Sequence, residues 1–122
     1  MTLPPRSEAL KSVLEAFPGA EASPKSPPGV VIYKVMEKMF AILSVKGAEG
    51  VILKCDAHLV EVLRQTYSGI GRRSHLDPRF WIHVRLDADV PPEEVERLAA
   101  GSYALVCAGL TRAQKAALAA LG

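Results

Sequence analysis

Trp81, His83 and Arg85 alternate along one short run, so an indole, an imidazole and a guanidinium share one parity. In an extended strand alternate residues share a face. Cations hold phosphates and aromatic rings stack on bases, so this set suits nucleic-acid binding. Lys34, Lys46 (on the parity of Ser44) and Lys54 join the same face if the strand parities coincide. The competing reading is an ordinary solvated face with Trp81 packed against an end helix. A second candidate is the segment Gly69-Ile70-Gly71-Arg72-Arg73. Its glycines let the main chain approach an anion, and two guanidiniums can grip a phosphate. It lacks the Gly-Lys-Ser/Thr ending of a Walker loop, and a solvated turn explains it equally well.

Other chemistry finds little support. Cys55 and His58 have a Cys-x2-His spacing, with His75 and His83 downstream. Structural zinc sites pair their ligands more tightly, so no metal is expected. There is no Gly-x-Ser-x-Gly elbow and no His-Glu-x-x-His. Ser74 beside His75 is adjacency without a third triad member. Asp87 and Asp89 run into Pro91 and read as a solvated turn. No cofactor motif is present, and the expectation is a binding protein, not an enzyme.

Charge points the same way. Net charge is only +2, but it is unevenly spread. From Lys25 to Arg85 there are ten bases and five acids; the flanks hold five bases and eight acids. A basic middle suggests an anionic partner, although an ordinary solvated surface also accounts for it. The 122 residues fit one domain, residues 1–122, with 111–122 as a C-terminal helical extension. With 49% hydrophobic residues the chain can build a core without metal or disulfide staples. No basic start followed by an apolar run opens the chain, and no stretch has membrane-spanning length, so a cytoplasmic location is expected. Cys55 and Cys107 fit free thiols there; a disulfide between them is the alternative.

The elements that must position these residues follow from periodicity. Leu10, Val13, Leu14 and Phe17 have the spacing of one buried helical face, stopped by Pro18-Gly19. Residues 20–29 are proline-dense and read as a loop. Val30 to Val35, Met39 to Val45 and Val51 to Cys55 read as strands, joined by links too short for parallel crossovers. Asp56 caps a helix to about Tyr67, with Leu59, Val62 and Leu63 facing inward. Residues 68–74 read as a loop. A fourth strand follows, with Phe80, Ile82, Val84 and Leu86 on its other face. Pro91-Pro92 opens a helix whose inner stripe is Val95, Leu98, Ala99, Ser102, Leu105 and Val106. Thr111 and Gln114 form a capping box for the last helix. The fold class is α+β, in the order α-β-β-β-α-β-α-α. Helices should cover one face of an antiparallel β-sheet and leave the other open.

Several segments together resemble the YjbR/MmcQ family of small bacterial proteins. They are Lys34 with Lys38-Met39-Phe40-Ala41, Leu53-Lys54-Cys55-Asp56, Tyr67-Ser68-Gly69, His75-Leu76-Asp77, Trp81-Ile82-His83-Val84, Pro92-Glu93-Glu94 and Ser102-Tyr103. The resemblance covers the chain from the first helix to Leu110. It implies a frataxin-like fold, also described as a double-wing DNA-binding fold, no established enzymatic activity, and DNA binding. It points to Lys34, Lys38, Lys54, His75, Arg79 and Trp81. The chain departs from the family at Asp77, Pro78 and Phe80, where an amide, a lysine and a histidine are usual. Two polar handles are lost, so binding should be weak and mainly electrostatic. Glu37 stands where glycine is frequent, so the hairpin is expected to differ. The frataxin-like fold raises iron as a ligand, but Glu8, Glu15 and Glu21 are too sparse to hold it. The expected phosphate contacts are Lys34, Lys54, Arg72, Arg73, Arg79 and Arg85, with Trp81 stacking on a base or bracing the sheet. A protein partner meeting the same face is the runner-up.

Overall fold

The computed structural model describes residues 5–45, 49–71, 76, 77 and 79–121. The elements are α1 (Pro5–Ala16), β1 (Ala20–Ala22), β2 (Val30–Val35), β3 (Lys38–Ser44), β4 (Gly50–Lys54), α2 (Ala57–Thr66), β5 (Ile70–Gly71), β6 (Trp81–Arg85), α3 (Pro92–Ala108) and α4 (Arg112–Leu121). The expected order holds, with two short strands added where loops were read. The strands form one antiparallel sheet in the order β1-β2-β3-β4-β6-β5.

Alternation along the strands sorts residues into two faces. Tyr33, Val35, Leu43, Val51, Leu53, Ile82 and Val84 are all fully or almost fully buried. They lie beneath α1 and α3, the helices that touch the central strands. Burying this apolar surface is the main driving force of the fold. Phe17 at the end of α1 stacks on Tyr103 of α3 at 4.7 Å, and both rings meet Phe40 edge-on. Burial pushes the Tyr103 phenol up to about 12, with Cys107 adding to the shift.

Two local devices shape the sheet. The β2–β3 register passes from Tyr33–Ala41 to Lys34–Met39, which leaves Phe40 as an extra residue, a β-bulge. One rung beyond the Ala41–Leu53 pair, the fully buried Ser102 takes the place of a ladder bond. Its hydroxyl donates to the Phe40 carbonyl at 2.6 Å and accepts from the Lys54 amide at 2.9 Å. The β2–β3 turn keeps the left-handed backbone that a glycine would favour, with Met36 at φ 49° and Glu37 at φ 68°. Positive φ at both turn residues is the pattern of a two-residue type I′ hairpin. Glycine would hold this backbone without strain, and Glu37 holds it at a steric cost.

Two readings need correction. Leu59 and Val62 of α2 are 50% and 57% exposed, not inward. Val60 is the buried residue of that helix. Leu59 and Leu63 instead wall an apolar groove of about 650 Å³ against Leu98, Gly101 and Leu105 of α3. Phe80 is 39% exposed and precedes β6, so it does not join Ile82 and Val84 in the core. A turn in which Phe80 and Trp81 both donate to the Asp77 carbonyl breaks the alternation there. Other readings stand as made. Asp56 caps α2 by accepting from the His58 amide, and Thr111 and Gln114 cap α4 reciprocally. Among the described residues no helix is long and apolar enough to cross a membrane.

Candidate nucleic-acid interface

The face away from the helices is set by the register. Lys54 lies opposite Trp81, Ile52 opposite His83, and Gly50 opposite Arg85. Direct cross-strand partners project to the same side. The parities of β4 and β6 therefore coincide, and Lys54, Trp81, His83 and Arg85 share the open face. Lys34 joins them from β2, one residue from the buried Tyr33 and Val35. Ser44 sits opposite Val30 at the other end of the β2–β3 pair. Trp81 is half-buried and Arg85 exposed.

The centre of this face is aliphatic, which the sequence reading did not single out. Ile32 pairs with Ile42, Ile42 with Ile52, and Ile52 with His83. Four strands about 4.8 Å apart make this a row of roughly 14 Å. All four side chains are half-buried, and among the described residues no helix lies above them. His83 lies over Gly50, where an added Cβ would come within 2.7 Å of its Nε2. Gly50 thus leaves the room in which the imidazole packs.

The cations differ in how free they are. Arg79 is exposed and bound to Asp77, with Nη2 2.8 Å from Oδ2. Hydrogen bonds from Arg79 hold the Asp77 carboxyl down at about 2. The Arg79 guanidinium also sits 5.3 Å from the centre of the Phe80 ring. Arg85 is paired with Asp87 at 3.2 Å and lowers that carboxyl's pKa in turn. Lys54 and Lys34 have no ion pair among the described residues, although Glu21 stands opposite Lys34 in the register. Lys38 is opposite the buried Val35, on the helix-side rim and not on the open face. Arg72, Arg73, His75 and Lys46 lie outside the described residues.

A cleft of about 500 Å³ opens at the end of β6. It is lined by Phe80 and Trp81 on one side, Asp56 and His58 at the start of α2 on another, and by Lys54 and Leu105. Cys55 forms part of its wall; the residue is buried, and desolvation raises its thiol pKa. Cys55 and Cys107 are both free thiols. Phe80 is a further site residue that sequence reasoning missed. The signal available was Pro78, which makes regular alternation unsafe just after it.

The family model for YjbR matches residues 15–105. The chain belongs to the YjbR family. Among solved structures, the YjbR chain is similar to protein DR2400 of Deinococcus radiodurans, whose domain is designated DUF419. The TM-score is 0.82 at 30% identity, covering 92% of this chain and 86% of that one. It also shares its fold with a Pseudomonas syringae protein. The crystal structure of that protein gives TM-score 0.68 at 20% identity, over 80% of this chain and 96% of that one. Its solution NMR structure gives 0.64 at 21%, over 84% and 92%. None of the curated proteins matches the YjbR chain.

Proposed function

We propose that this YjbR chain is a non-enzymatic nucleic-acid-binding module that works through the open face of its sheet. One observation carries the reading: the β4–β6 register brings Lys54, Trp81, His83 and Arg85 together on the side that, among the described residues, no helix covers. Lys34 and Lys54 contact phosphates, Arg85 does so by exchanging its exposed pair with Asp87 for a phosphate oxygen, and Trp81 offers a ring. Arg72 and Arg73 are further phosphate contacts proposed from sequence alone. Arg79 is spent on Asp77 and Phe80 and contributes little net charge. So few cations make binding weak, in the range ~10⁻⁴–10⁻⁶ M typical of non-specific contacts.

The test is fluorescence anisotropy with labelled single- and double-stranded oligonucleotides across a salt series. The open-face contacts Lys34, Lys54 and Arg85 alone give a log–log salt slope of about −3 on duplex and about −2 on single strands, and Arg72 and Arg73 steepen it where they engage. Lys54→Ala/Arg85→Ala should weaken binding and flatten that slope by about 2, while Arg72→Ala/Arg73→Ala tests the second candidate. Unmeasurable affinity at ~50 mM salt rejects the proposal.

The isoleucine row supports a second reading, a protein partner on the same face. Aliphatic burial is insensitive to salt screening, unlike exposed charge pairing. A partner retained at ~1 M salt and lost in Ile42→Glu favours that reading.

A further inference from the structure

We infer that the nucleic acid is single-stranded, and that the cleft beside Phe80 and Trp81 takes one unstacked nucleobase; this rests on the nucleic-acid reading above. The first argument is the layout of the face. Its middle is the row Ile32, Ile42, Ile52 and His83, and its cations stand at the margins. A duplex offers phosphates on the outside, and its undistorted major groove admits a helix or a two-stranded ribbon, so a broad sheet meets a duplex only by bending and opening it, at a cost. Phosphates laid over isoleucines would lose water and meet no cation, which is costly. A single strand can turn its bases to the apolar centre and its phosphates to the rim. Sheet-based readers of single strands seat two or three bases in this way, and the row has room for that number.

The second argument is the cleft. Phe80 is a large ring held 39% exposed, with a guanidinium over it that Asp77 keeps in position. Aromatic rings are usually among the most buried side chains, so a ring held out at the mouth of a cleft is available for stacking. Trp81 lines the same cleft, and its volume of about 500 Å³ lies within the range of small-molecule sites. The charges sort the ligand's parts. The cleft wall carries Asp56 beside Lys54, so its charge is mixed, and a neutral heteroaromatic ring fits it without the repulsion that Asp56 sets against a phosphate. Lys54 pairs directly across from Trp81 and lines the cleft, so a phosphate next to the seated base has a cation at hand.

Trp81 is the chain's single tryptophan, so its emission reports on this cleft alone. The full chain is titrated with a thymidine oligonucleotide of about a dozen nucleotides, the span of a typical single-strand site, and with a duplex of equal length. The expected result is quenching of Trp81 by the single strand and affinity about tenfold above that for duplex. Phe80→Ala should cost the single strand about tenfold and leave duplex binding unchanged, and Phe80→Tyr should restore it. Phe80 is partly exposed, so circular dichroism should find the variant folded. Duplex affinity equal to or above single-strand affinity overturns the inference and leaves the nucleic-acid reading standing. Single-strand binding with Trp81 emission and Phe80→Ala both unchanged overturns the cleft. No binding of either form overturns the reading itself.

Discussion

The two faces of the sheet come from the same strands, yet they behave as different materials. Toward the helices, Tyr33, Leu43, Leu53 and Val84 are fully buried. On the other side, Ile32, Ile42 and Ile52 are equally apolar and only half-buried. Hydrophobicity therefore does not tell the core from the open face here. Position relative to α1 and α3 does. An apolar residue that a protein leaves half in water contributes less to stability and is available for contact.

That comparison can be broken with adjacent residues of β3. Leu43→Ala should cost about 2–5 kcal/mol, because it removes a fully buried side chain and leaves a cavity. Ile42→Ala, one residue away, should cost about 1 kcal/mol or less, near the level of surface substitutions. Urea unfolding of both variants checks this. Equal losses would mean that the open face is part of the core after all. Ser102→Ala sharpens the comparison from the helix side, with an expected loss of about 1–3 kcal/mol for two main-chain groups left without their partner. Hydrogen exchange should show the Lys54 amide losing protection, since its bond to Ser102 Oγ is gone. The smallest effect is a gain. Glu37→Gly should raise stability by about 1 kcal/mol, because glycine holds positive φ without the penalty that glutamate bears. A higher thermal midpoint with unchanged oligonucleotide affinity would confirm that the hairpin and the open face are separate concerns.

Much of this architecture is legible in the sequence. The run Trp81 to Arg85 alternates cleanly, and short links impose antiparallel neighbours on β2, β3 and β4, but whether Lys54 and Trp81 share a side stays open in the sequence and is settled by the β4–β6 register. The misses have physical causes. Phe80 continues the alternation on paper, but the Asp77 turn rotates it out of register. Leu59 and Val62 read as inward because they are apolar, whereas α2 turns Val60 to the core. Lys38, which only the family resemblance pointed to, lies opposite the core residue Val35 because of the bulge at Phe40, and no local pattern announces a bulge. The isoleucine row escapes because each residue looks like core until the register aligns all three. Strands β1 and β5 have three and two residues, too few for any period, and exist because β2 and β6 offer them partners.

Those two short strands have a consequence for how the molecule survives in a crowded solution. A sheet with a bare apolar face invites other chains to add to it, strand on strand, along its rims. Here the strands of five to seven residues are all interior, and the outermost ones, among the described residues, are the shortest. An incoming strand finds two or three rungs to bond, too few to hold it. The protein can keep one face uncovered without becoming a template for its own aggregation.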